Sequence, residues 1–215
     1  MVKNILAICL FAITGSLVMT NAAENKTIEN KNIMENLTLT NEWDKTFPKS
    51  DKVDHSKVTF VNRYGITLAA DMYKPKGTTG KLAAIAVCGP FGAVKEQAAG
   101  LYAQEMAERG FMTIAFDPSF TGESGGTPRY MTSPDINTED FSAAVDFLVT
   151  NPDVDPEKVG IIGICGWGGI AINAAAPDPR IKATLASTMY DMSRVNANGY
   201  FAVSYTHLTL PTSDL

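Results

Sequence analysis

The chain is poor in the residues from which metal sites and nucleic-acid surfaces are built. Its 215 residues hold only 2 histidines and 3 cysteines. No His/Cys/Asp cluster has ligand spacing, so neither a metal nor an organic cofactor is expected. Basic residues are in deficit: 18 Lys and Arg against 23 Asp and Glu give a net charge of -5. No block of Lys and Arg occurs, which speaks against a nucleic-acid partner, because such binding leans on clustered cationic side chains. Also lacking is an uninterrupted apolar run of about 20 residues, the length a membrane-spanning helix needs. The longest stretch, residues 5–19, is interrupted by Thr14, Gly15 and Ser16.

That stretch reads instead as the apolar region of a secretory signal peptide over residues 1–23. Lys3 supplies the positive start, and Asn21-Ala22-Ala23 a small-residue cleavage site. Ile8 stands where a lipoprotein would need a small residue before Cys9. The expected product is periplasmic or secreted, without a stable membrane anchor. Cys9 leaves with the leader. Cys88 and Cys165 then remain, and an oxidising compartment permits a bond between them.

What is present is enough apolar material, 45% of residues, for one core. Residues 24–50 are polar and rich in Asn and Lys, as expected for a spacer or a loosely docked segment. The domain is expected over 51–201. Residues 57–74 read as two strands joined at Gly65, a hairpin. Residues 82–87 (LAAIAV) form a buried-strand candidate, followed by helical spacing over 97–109 that stops at Gly110. A strand is expected over 111–116, ending at Asp117, and then a Gly-, Ser- and Pro-rich loop to Pro134. A helix is expected over 138–149, opened by Thr138, Glu139 and Asp140. Residues 151–156 read as a turn cluster, and 181–187 as a further strand. This alternation predicts an α/β protein, a mostly parallel doubly wound sheet preceded by a hairpin. In such sheets reactive groups gather beyond the carboxyl ends of the strands, where Cys88, Asp117, Cys165, Tyr190 and Asp191 all fall.

Residues 158–176, KVGIIGICGWGGIAINAAA, organise the rest. The apolar run 159–164 is a buried strand, Cys165 and three glycines follow, and 170–176 favours helix. Strand, tight glycine turn and helix are the context of a nucleophile elbow, which exposes a Ser or Cys above the sheet. Cys165 is therefore the candidate nucleophile. Its neighbours are small because the two backbones nearly touch at such a corner.

With GPFGAVKEQAAGLYAQEMAERGF from Gly89, AFDPSFTGESGGTPR from Ala115 and VGIIGICGWGG from Val159, the sequence resembles an α/β-hydrolase of the dienelactone hydrolase-like group. The resemblance covers roughly residues 58–200 and implies an incomplete α/β-hydrolase fold without cofactor. It also implies a cysteine in the elbow, favouring Cys165, and assigns Asp117, Gly122 and Ser124 to a structural loop. One departure is Trp167, which stands two places after the nucleophile where the family has a small residue. A frame two residues later would put Trp167 itself in the nucleophile position. The strand ending directly before Cys165 favours the first frame. Gly166, the residue after the nucleophile, is expected to offer one oxyanion N–H. The second is expected from Phe91, because Pro90 has none. Each such donor is typically worth about 3 kcal/mol of transition-state stabilisation.

The fold also needs an acid and then a histidine after the nucleophile. His55 precedes the first expected strand and reads as a surface residue. His207 follows the elbow by only one strand, too early for the role. Asp191 is a candidate acid, though a helix N-cap suits it better. Residues 202–215 change character abruptly and resemble translated adapter read-through, so they are expected to be non-native. The base and acid are then expected to be absent from the chain, and the chain inactive. The expected function is hydrolysis of a small-molecule carboxylic ester or lactone through Cys165. Two alternatives stay open: a peptidase of the same fold, and a non-catalytic protein with a Cys88–Cys165 pair.

Overall fold

The computed structural model describes residues 36–40 and 42–199. The signal-peptide expectation (1–23), most of the polar segment, His207 and the tail from 202 lie outside the described residues. A hairpin opens the fold, β1 (Val53–Val61) and β2 (Thr67–Pro75), followed by β3 (Leu82–Cys88), α1 (Ala98–Glu108) and β4 (Met112–Phe116). Then come α2 (Pro134–Thr150), β5 (Val154–Ile164), α3 (Gly166–Ala175), β6 (Ile181–Ser187) and α4 (Met192–Asn198). The strands form one sheet in the order β1-β2-β4-β3-β5-β6. β1 and β2 pair antiparallel, as do β2 and β4, whereas β4, β3, β5 and β6 run parallel. This is the expected doubly wound sheet with its hairpin, an incomplete α/β-hydrolase fold.

Strand alternation divides the core between the two faces. Ala84, Ala86, Cys88, Val159 and Ile161 pack with α2 and α3, alongside Phe116, Phe141, Leu148 and Ile170. Ile85, Val87, Ile162 and Ile164 pack with α1, which presents Ala99, Ala103 and Ala107 at helical spacing. Those small side chains let α1 lie close to the sheet. It ends where expected, at Gly110, whose φ of 99° favours glycine and whose N–H bonds Ala107 O at 2.9 Å.

Several boundaries differ from expectation for local reasons. α2 starts at Pro134 rather than Thr138, because the Ser133 hydroxyl caps Ile136 N and proline fits the first helical position. β5 absorbs much of the expected turn cluster, since Val154 is buried and pairs with Leu82 before the register shifts. His55 lies within β1, not before it. It is largely buried, bonded through Nε2 to Asp71 at 2.8 Å and packed edge-on to Trp43.

The segment 42–50 is docked, the second of the two readings expected for it, and not a spacer. Phe47 is buried, stands edge-on to Trp43, and lies so close to Gly100 that a Cβ there would collide with it. Gln104 accepts from Ser50 N and donates to Pro48 O, each at 3.1 Å. Beneath this segment runs a chain of buried ion pairs. Lys45 meets Asp71 at 3.0 Å and Asp44 at 2.5 Å. Lys95, its ammonium enclosed, meets Asp117 at 2.8 Å, Glu123 at 2.7 Å and Glu96 at 2.5 Å. Burial works against the Lys95 charge, but the carboxylates outweigh it and raise its pKa.

Removing the Lys95 ammonium strands these carboxylates, Asp117 in full burial. Lys95→Ala is expected to lose about 3–5 kcal/mol of stability, read from urea unfolding midpoints. Burial also opposes the Glu123 charge, but Lys57 and Lys95 prevail and hold its pKa at about 2, below the ordinary 4.5. That lowered value stabilises the fold above pH 4.5, and the contribution disappears as pH falls toward 2. The unfolding midpoint is therefore expected to drop over that interval, and less steeply in Glu123→Gln.

Candidate active site

β5 hands over to α3 at Cys165 within a single residue. Cys165 has φ 59° and ψ -120°, in the half of the map that side-chain-bearing residues avoid. Such a conformation costs about 1–3 kcal/mol and persists only where its surroundings over-determine it. Here they do. Cys165 N donates to Ser187 O at 2.8 Å, while Cys165 O accepts from Gly168 N at 3.0 Å and Tyr190 N at 3.1 Å. A Cβ on Gly163 would run into the Trp167 carbonyl, and one on Gly169 into the Tyr190 carbonyl. The small residues around the corner are thus required by contact with its own backbone.

Cys88 and Cys165 are free thiols, which corrects the structural-disulfide alternative. The strands are neighbours as expected, but their register pairs Cys88 with Gly163. Two further rises of ~3.3 Å across a spacing of ~4.8 Å put the cysteine Cα atoms of a straight strand ~8 Å apart, beyond disulfide reach. Cys88 is buried on the α2/α3 face, its Sγ 3.7 Å from Phe116 O. Burial pushes its thiol pKa well up, with Asp140 and Asp117 adding to the effect. Cys165 is half-buried and packs against the α1-side cluster.

Gly166 is the first residue of α3, where a helix leaves its N–H groups without intrahelical acceptors. The loop after β3, the strand next to β5, carries Phe91, with a tight turn closed from Ala93 N to Pro90 O at 3.0 Å. The Phe91 ring stands edge-on to the Trp167 indole, centroids 6.3 Å apart. The structure therefore brings Phe91 to the start of α3. Trp167 itself is turned into the core among the α2/α3-side residues, which is how the corner accommodates a large residue there. Beside the two aromatics opens a cleft of about 310 Å³. Its far wall is Thr121, Tyr130, Met131 and Thr132, none of which the sequence singled out. That loop reads locally only as turn chemistry, so nothing in it signals a wall.

The remaining candidates fall elsewhere. Asp191 caps α4, its carboxylate accepting from Arg194 N at 2.9 Å. His55 is the histidine of the described residues, on β1, and three strands separate β1 from β5. At ~4.8 Å per strand it stands ~19 Å across the sheet from the elbow. Asp117 is structural, as expected, accepting from Lys95 N at 2.8 Å and Glu123 N at 2.9 Å. Carboxylate oxygens of Asp44, Glu96 and Glu123 gather within 4.8 Å of one another. However, Lys57 lies 2.6 Å from Glu123 and 3.7 Å from each of the other two, so an ammonium already takes a cation's place.

Residues 64–209 match the model of the X-Pro dipeptidyl-peptidase (S15) family, a branch of the α/β-hydrolase clan. The chain belongs to this family. It is 61% identical over 197 residues to protein PA2218 of Pseudomonas aeruginosa, covering 91% of this chain and 53% of that protein. The crystal structure of PA2218 superposes with a TM-score of 0.75 at 68% identity, covering 77% of this chain and 52% of the other. Thiohydrolase aneE of Aspergillus aculeatus is 31% identical over 137 residues, 64% of this chain and 42% of that one. The α/β hydrolase GrgF of a Penicillium species superposes with a TM-score of 0.58 at 26% identity, covering 61% of this chain and 44% of GrgF. The chain spans about half the length of the relatives it matches.

The corner yields a direct test. Gly163→Ala forces a methyl group against the Trp167 carbonyl and is expected to cost about 3 kcal/mol or to prevent folding. Ala171→Gly, on the facing turn of α3, removes a methyl instead and is expected to cost less, about 1 kcal/mol. Thermal unfolding of the pair measures the difference.

Proposed function

We propose that this hydrolase-family chain carries the nucleophile and oxyanion half of an acyl-ester hydrolase, with Cys165 as the attacking group. The observation that carries the reading is a free thiol held at positive φ on a strand-to-helix corner, directly before the N-terminus of α3. In this reading the Cys165 thiolate adds its electron pair to the carbonyl carbon of a carboxylic ester or lactone. Negative charge moves to the carbonyl oxygen, facing the N–H groups of Gly166 and Phe91. The C–O bond then breaks, the alkoxide departs and takes a proton, and a thioester remains on Cys165. Water attacks that thioester, releasing the acid and restoring the thiol. An imidazole base and its orienting acid are assigned to no described residue. A single acylation of Cys165 by an activated ester, without catalytic turnover, is accordingly the expectation for the described residues. The name of the fungal relative, a thiohydrolase, supports acyl chemistry on a thioester.

Export of the mature chain from residue 24 is part of the proposal. N-terminal sequencing of the secreted or periplasmic fraction tests it, and an intact leader there overturns it. Peptide hydrolysis is the second reading, favoured by the description of the family itself. Incubation with p-nitrophenyl acetate is expected to release nitrophenolate and leave an acetyl group on the Cys165 peptide, seen by mass mapping. Cys165→Ala is expected to abolish both. Cleavage of an X-Pro p-nitroanilide by the wild type without ester reaction would establish the peptidase instead.

A further inference from the structure

The cleft beside the elbow has a composition that names part of a substrate. It lies between the loop after β3 (Pro90, Phe91, Val94) and the loop after β4 (Thr121, Met131), with Trp167 at its inner edge. No charged side chain lines it. Its lining includes the apolar side chains of Phe91, Val94, Met131 and Trp167, and the side chains with a polar atom other than the indole are the hydroxyl-bearing Thr121, Tyr130 and Thr132. Phe91 and Trp167 connect it to the corner: one carries a proposed oxyanion N–H, the other follows Gly166 directly in α3. A carbonyl oxygen seated between the Gly166 and Phe91 amides would have this cleft as the neighbouring space for one of its substituents.

From this geometry we propose that the cleft holds the acyl chain of the substrate, and that the chain is uncharged and apolar, of medium length. The proposal rests on the nucleophile reading above. At water's liquid volume of ~30 Å³, the space of about 310 Å³ takes about ten water-sized groups, enough for a hexanoyl or octanoyl chain. An anionic or cationic acyl group would enter without a counter-charge and lose its hydration. Phe91 and Met131 set the length and width of the pocket, and Trp167, held in the core, sets its floor.

The test uses the whole chain with p-nitrophenyl acetate, butanoate, hexanoate and octanoate, and with the mono-p-nitrophenyl ester of succinic acid. In each reaction the Cys165 sulfur bonds to the acyl carbon and the C–O bond to nitrophenolate breaks. Nitrophenolate leaves with the electron pair, and the thiol proton passes to solvent. Iodoacetamide, which has no acyl chain, is the reference for thiol reactivity. The rate of release, less that of Cys165→Ala, is expected to rise about threefold per added methylene up to hexanoate, with succinate slower than butanoate. Phe91→Ala keeps the backbone amide and is expected to cut the hexanoate-to-acetate ratio at least fivefold. Thr121→Leu, which fills the cleft, is expected to cut it as well. Labelling of Cys165 by iodoacetamide together with chain-length-independent ester rates overturns the pocket and leaves the nucleophile. Failure of iodoacetamide and every ester to modify Cys165 overturns the nucleophile, and the pocket with it.

Discussion

Everything at the reactive end of this sheet depends on how closely one strand backbone approaches the helix that follows it. Gly163 lies beneath the Trp167 carbonyl with no room for a methyl group, and Gly169 lies against the Tyr190 carbonyl. With that contact in place, the chain has one residue, Cys165, in which to reverse direction. It does so at positive φ, against a local cost that three hydrogen bonds from neighbouring backbone offset. One of these reaches Ser187 at the end of β6 and one reaches Tyr190 just after it, so the corner is locked by the next strand as well as by its own helix. The side chain is left half-buried at the corner rather than enclosed in the core.

A second constraint fixes the loops facing that corner. Lys95 belongs to the loop after β3, Asp117 and Glu123 to the loop after β4, and these loops form two walls of the cleft. Lys95 ties them together twice, through its backbone N and its ammonium, both 2.8 Å from Asp117 oxygens. Gly122 passes so near the Asp117 carboxylate that a Cβ would overlap it. The N-terminal segment closes the same network from outside, since Thr40 N reaches Glu123 at 2.6 Å. A buried ion cluster is an expensive way to hold two loops, because each charge gives up its hydration. What it secures is geometry: apolar walls of fixed spacing, with the charges sequestered behind them rather than lining the cleft.

Local pattern in the sequence carried the sheet order's ingredients, the α1 terminus, the elbow and the Asp191 cap. Each is set by residues within a few positions of one another: alternating apolar residues, a terminal glycine, a Cys among glycines, an Asp three before the N–H that donates to it. What stayed illegible rests on distant partners. His55 looked like surface because Asp71, sixteen residues on, and Trp43 bury it. Residues 42–50 looked like a spacer because Phe47 and Lys45 find their partners on α1 and β2. The Tyr130–Thr132 wall has no periodicity at all and becomes a wall only when the β3 loop stands opposite.

The two cysteines show why adjacency of strands is a weaker statement than it looks. β3 and β5 are hydrogen-bonded neighbours, yet register sets Cys88 against Gly163, and two residues of rise carry Cys165 past it. Alternation alone would still have left Cys165 on the face that Cys88 shares with Val159 and Ile161. The corner removes even that. By leaving the strand at positive φ, Cys165 turns toward the α1-side cluster, while Cys88 stays buried near Phe116. The same twist that lifts one sulfur toward solvent withdraws it from the other. The register of the sheet and the turn at the corner together leave both thiols free.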